Sequence, residues 1–164
     1  MPKEPIPQDY VKGLCGKEST LVFGDPKDAK TIAKKSLAVV EQFSRAVFKQ
    51  DIESAYALCA NEYRVGMPVS RFVAELKKAD TQFGGAPVEL MVEQISGIYA
   101  DAPARQRSNS DGQWPKETPK PNKRATVGTF WFIVPKEKRG RWAFFWVTEE
   151  AEGYRIAKFR QYLQ

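Results

Sequence analysis

Residues 25–82 read DPKDAKTIAKKSLAVVEQFSRAVFKQDIESAYALCANEYRVGMPVSRFVAELKKADTQ, one long amphipathic helix followed by two shorter ones. Asp25 can accept from an orphan backbone N–H, Pro26 presets φ at the first helical position, and Asp28 adds negative charge to the first turn. Ile32, Ala33, Leu37, Val40, Phe43 and Val47 then recur at three- and four-residue steps among Lys34, Lys35, Glu41, Gln42, Arg45 and Lys49, which predicts one buried side. Asp51 is positioned to cap a second helix with Ile52, Ala55, Tyr56 and Cys59 on one face. Ser70 is positioned to cap a third carrying Phe72, Val73, Leu76 and Ala79. Gly84, Gly85 and Pro87 end this helical half.

Every convincing strand lies beyond it. Val88 to Ala100 alternates Val88, Leu90, Val92 and Ile98 with Glu89, Met91, Glu93 and Tyr99. Residues 101–124 are rich in proline and polar side chains and read as a long mobile loop. Ala125 to Val134, Arg141 to Thr148 and Tyr154 to Leu163 follow with short connections, so an antiparallel meander is the economical arrangement. In the last of these, simple alternation puts Phe159 and Leu163 on the face opposite Tyr154, Ile156 and Tyr162. Helices first and sheet second is an α+β order: three N-terminal helices on a curved, mainly antiparallel, four-stranded sheet. Residues 1–24 form an irregular N-terminal segment in which Leu21, Val22 and Phe23 could make a short strand or pack across the helices. Residues 25–164 form a single domain.

Phe130, Trp131 and Phe132, with Phe144, Phe145 and Trp146, place bulky apolar groups on both faces of two neighbouring strands. Helices can cover one face. The other calls for a second copy of the chain, a protein partner or the N-terminal segment.

Composition removes several function classes. The 164 residues contain no histidine, and Cys15 and Cys59 stand 44 positions apart, so a Cys/His zinc site is excluded and no metal or cofactor is called for. The two cysteines fit one disulfide or two free thiols. No run approaches a membrane span and no signal peptide opens the chain, which as given reads as soluble and leaves its compartment open. The net charge of +6 resides in residues 101–124 and 135–141, at an excess of +3 each. In a meander these two segments fall at opposite ends of the sheet. No continuous basic stripe results, and nucleic acid ranks last among the expected partners.

The order and phasing resemble the NTF2-like (cystatin-like, α+β cone) superfamily, most of all its small bacterial domains of unknown function. The long first helix with Val40, Phe43 and Val47, the segment KQDIESAYALCANEYR from Lys49 to Arg64, the phrase VSRFVAEL from Val69 to Leu76 and the sheet that follows carry the likeness, over residues 26–163. The resemblance implies a pocket between the helices and the concave face of the sheet. Tyr56, Tyr63 and Tyr99 could supply hydroxyl donors there, and Glu93 or Asp101 a carboxylate. Trp131, Trp142 and Trp146 could wall a site for a small apolar ligand. The same tyrosines could instead lie at the rim, and the tryptophans could be core.

A dehydratase-type histidine–aspartate dyad is ruled out by composition. The leading expectation is therefore a non-enzymatic binding module, dimeric through its sheet face. The rival is an isomerase or hydrolase of ketosteroid-isomerase type, with a carboxylate base and tyrosine hydrogen bonds in one cavity.

Overall fold

The computed structural model describes residues 21–23, 26–99 and 124–163, with backbone alone for 21–23, 26–29, 92–99 and 163. The helical half begins with α1, Pro26–Phe48. Its stripe Ile32, Ala33, Val39, Val40, Phe43, Ala46 and Val47 is buried, while Lys34, Lys35, Glu41 and Arg45 face water. The helix crosses all four long strands of the sheet. It stops where Gln50 takes a left-handed φ of 62° and the Asp51 N–H donates back to the Ala46 carbonyl at 2.8 Å. Asp51 then caps α2, Ile52–Ala57, accepting from the Ser54 N–H at 3.3 Å and the Ser54 hydroxyl at 2.7 Å.

Four helices, not three, occupy the described part of the helical half, and the reason lies in the sheet. After Ala57 the chain runs extended beside the last strand. Ile156 donates to the Leu58 carbonyl at 2.9 Å and accepts from the Ala60 N–H at 2.8 Å, with Cys59 bridged to Ile156. Long-range strand pairing takes the backbone groups that a continuous helix would have used, and α3, Asn61–Gly66, starts afresh. The final helix, α4, covers Val69–Phe83; its N-cap is Pro68 without a side-chain bond, so Ser70 does not play that part. It ends at Gly84, whose φ of 88° lets its N–H return to the Asp80 carbonyl.

The sheet holds β1 (Leu21–Phe23), β2 (Glu89–Tyr99), β3 (Arg124–Val134), β4 (Arg139–Glu150) and β5 (Gly153–Leu163) in that order. β1 pairs parallel to β2, and the other neighbours are antiparallel, so α+β describes the chain. Arg124 lies opposite Thr148, which puts the start of β3 at the same end as the acidic turn after Glu150; the Pro135–Glu137 turn is at the other end. The loop of residues 101–123 lies outside the described residues, as do Cys15 and Asp25. Cys59 is a buried free thiol.

Two bulges interrupt β2, at Glu93 and Ser96, and one interrupts β5, at Ala157. The last corrects the phase read from alternation. The extra residue turns the rest of β5 over, so Phe159 pairs with Phe145 and joins Tyr154 and Ile156 on the helix side, leaving Tyr162 opposite Trp142 on the outer face. The core is consequently aromatic. Phe43 meets Phe72, Phe145 and Phe159 at ring distances of 6.1, 5.5 and 5.4 Å, and Phe145 stacks on Phe159 at 4.9 Å.

Candidate functional site

A cavity of about 260 Å³ opens where α3 and α4 lean over β5. The apolar stripe of α4 runs Phe72, Leu76, Ala79, Phe83. Phe72 and Leu76 are buried in the core, and all four contribute to the cavity wall. Tyr63 and Met67 close one side from α3 and the turn after it. Phe159 and Gln161 form the floor, which they reach because the Ala157 bulge has turned that part of β5 inward. Glu75, Lys78 and Gln82 lie exposed at the mouth.

Two polar groups in this wall have no hydrogen-bond partner among the described residues. The Gln161 Oε1 atom is buried with no hydrogen bond, and the Tyr63 hydroxyl has none among the described residues. Burial, the Cys59 thiol and the Glu75 carboxylate, in that order, push the Tyr63 phenol above its ordinary pKa, so it is a neutral donor. Glu75 itself faces solvent.

Behind Phe83 lies a buried polar arrangement. Arg141 is fully buried, its Nη2 donates to Asp80 Oδ1 at 2.7 Å and its Nη1 to the Gly85 carbonyl at 3.3 Å. The guanidinium lies 5.4 Å from the Phe83 ring centre and 5.7 Å from that of Trp131, while its Nε has no acceptor. Burial lowers the Arg141 pKa, and the Asp80 hydrogen bond and charge oppose that shift. Arg141 binds the end of α4 to β4 and fixes the Phe83 side of the cavity.

The structure scatters the residues singled out from sequence. Tyr63 lines the cavity. Tyr56 does not; its hydroxyl donates to the Met67 carbonyl at 2.7 Å and ties α2 to the chain after α3. Trp131 is fully buried, its ring 5.1 Å from Phe48 and 5.5 Å from Phe159. Trp142 and Trp146 lie on the outer face, across the sheet from Trp131. Trp142 packs on Phe130 at 5.1 Å, and Lys158 Nζ stands 5.4 Å from the Trp146 ring centre. Glu93 is the extra residue of a β2 bulge and Tyr99 ends β2 opposite Arg124; their side chains, and Asp101, lie outside the described part. Gln161, Phe83 and the Arg141–Asp80 pair were not legible as a site. A signal for Arg141 exists, since it holds an inward phase in the strand RGRWAFFW. None exists for Gln161, whose phase depends on the bulge.

A second, more open groove of about 490 Å³ separates α1 from the β4–β5 turn. Three of its charged groups are engaged: Glu150 accepts from the Asn61 N–H at 3.0 Å, Arg155 donates to the Tyr154 carbonyl at 2.9 Å, and Lys35 Nζ stands 5.8 Å from the Tyr154 ring centre. Among the described residues no cluster of His, Cys, Asp and Glu could hold a metal ion, and no helix is long and apolar enough to cross a membrane. No family model, no curated protein and no solved structure matches the chain.

Proposed function

We propose that this chain is a non-enzymatic binding module of the NTF2-like type that holds a small, mainly apolar ligand between α3, α4 and β5. The observation that carries the reading is the cavity itself, a concavity of mixed polarity at the seam of helices and sheet, with an aromatic and aliphatic wall, a charged mouth and two polar groups without partners among the described residues. At about 260 Å³ it suits a molecule of on the order of ten non-hydrogen atoms, taking ~30 Å³ for each water-sized unit. The helix-then-meander order, with α1 laid across the sheet, supports the family assignment.

The isomerase reading has one observation in its favour, since Tyr63 and Glu75 share the cavity. A general base needs a carboxylate held in a desolvated site at a tuned pKa, and Glu75 is exposed. Binding is the better account. Ligand-observed NMR with small aromatic alcohols tests it: saturation transfer from the native chain, lost in Ala79→Trp, is the expected result. No transfer at millimolar concentration would overturn the assignment.

The outer face supports a second copy as partner. Met91, Phe130, Trp142 and Tyr162 form one row across four strands, flanked by Phe132 and Phe144; Met91 and Tyr162 are each 41% exposed. Trp146, Thr126 and Thr148, at the other end of that face, are already buried within the single chain. On this reading a dimer contact uses the half near the Pro135–Glu137 turn. Sedimentation equilibrium should give twice the chain's 18.6 kDa, reduced to one chain by Trp142→Glu. A native monomer at all micromolar concentrations would sink the dimer.

A further inference from the structure

Resting on the binding reading above, we infer that the cavity selects an uncharged ligand that joins an aromatic ring to a primary amide, the amide engaging Gln161 and Tyr63. The wall dictates both halves. Phe83 and Phe159, both partly exposed, supply aromatic wall for a planar body, with Phe72 packed behind. The polar requirement comes from Gln161 Oε1, a buried acceptor that costs free energy until a donor reaches it, and from the Tyr63 hydroxyl, a neutral donor whose pKa is raised. A ligand group that donates to the first and accepts from the second satisfies both. A primary amide does so, and its own two-sided pattern matches the side-chain amide of Gln161.

Charge is disfavoured for a separate reason. The charged residues of the lining, Glu75 and Lys78, are of opposite sign and stand exposed at the mouth. Arg141 lies behind Phe83 with Asp80 as its counter-ion, so a ligand carboxylate would enter the interior without a partner charge. The inward wall can pay for a dipole and not for an ion.

Benzamide, benzoate and isopropylbenzene, which match in size and differ in polarity, separate the possibilities by NMR titration of the native chain and its variants. Benzamide should bind at least about tenfold more tightly than benzoate. Gln161→Leu should weaken benzamide about tenfold, the loss of one hydrogen bond to a desolvated group, and Tyr63→Phe by a few-fold, the loss of one to a group that water reaches, while both leave isopropylbenzene unchanged or tighter. Gln161→Glu keeps the side chain's shape and should transfer the preference from benzamide to benzamidinium, which guards against a leucine variant that does not fold. Equal losses for benzamide and isopropylbenzene, or no loss in either variant, would overturn the amide assignment and leave the binding module standing. Failure of all three probes to shift any cavity resonance would remove the binding module and this inference with it.

Discussion

Removing Asp80 should destabilise the protein more than removing Arg141, although the two share one ion pair. Arg141 is 0% exposed, and its guanidinium remains protonated in spite of burial because its ordinary pKa lies so high. Asp80→Ala therefore leaves a cation in an aromatic interior with the Gly85 carbonyl as its remaining partner. Breaking a buried pair in this way costs roughly 3–5 kcal/mol, and the lower end applies here because the Asp80 side chain is 29% exposed and water reaches the pair. Arg141→Met removes the charge and keeps an apolar stem between Phe83 and Trp131, while Asp80 turns into solvent; a cost of about 1 kcal/mol or less follows. The double variant should resemble Arg141→Met, giving a coupling close to the full cost of Asp80→Ala, about 3 kcal/mol, between the sites. Urea unfolding followed by tryptophan emission measures all four corners, since Trp131 lies 5.7 Å from the guanidinium and reports its loss. An Arg141→Met chain less stable than Asp80→Ala would refute the argument and show that Arg141 acts mainly through its hydrogen bonds to α4.

Phe43→Ala should lower stability by roughly 3–5 kcal/mol, because it empties a fully buried site among three rings. Arg45→Ala, whose salt bridge to Glu41 is exposed on both sides, should cost under about 0.5 kcal/mol; equal shifts in the urea midpoint would contradict the burial of α1. Gly140→Ala should destabilise by roughly 1–3 kcal/mol, since the added Cβ would overlap the Trp131 carbonyl oxygen and press on the Phe130 ring, and a neutral effect would mean that β3 and β4 separate easily there. Burial pushes the Cys59 thiol from its ordinary 9.0 up to about 12, so the unfolded chain loses this proton first and stability falls as pH rises between those values, by about 1.4 kcal/mol per pH unit. Tyr63 acts in the same direction. Cys59→Ala should flatten the alkaline slope, and identical slopes would show that Cys59 does not contribute.

The parts of the fold that could be read in the sequence are those whose signal is local and repeated. The start of α1 at Pro26, its buried stripe, the Asp51 cap and the four long strands follow from patterns that a few neighbouring residues specify. The parts that could not be read depend on distant pairing. Residues 58–60 carry a helical pattern, but they pair with Ile156, nearly a hundred positions away, and the helix divides there. Ala157 has no feature that marks a bulge, yet it decides whether Phe159 and Gln161 face the helices. The site suffered most from this. Tyr63 is on a short helix with clear phase and lines the cavity, whereas the phase of Gln161 depends on the bulge that precedes it. Trp131 pairs with Arg141, whereas Trp142 and Trp146 pair with Phe130 and Thr126, and this register places them on the face opposite Trp131.

The position of the cavity follows from how α4 is attached. Near its N-terminal end Phe72 is held by Phe43, Tyr56 and Tyr63, at ring distances of 6.1, 5.4 and 6.3 Å. Near its C-terminal end Asp80 is held by Arg141, and the Gly84 and Gly85 N–H groups both return to the Asp80 carbonyl. Between these anchors the stripe passes through Leu76 and Ala79. Leucine reaches the core, but alanine is too short to fill the remaining space above Phe159 and Gln161. A helix fixed at both ends settles inward only by breaking the ring cluster or the ion pair. The ring cluster around Phe72 and the Asp80–Arg141 pair thus hold the two ends of α4, and the cavity lies in the span between them.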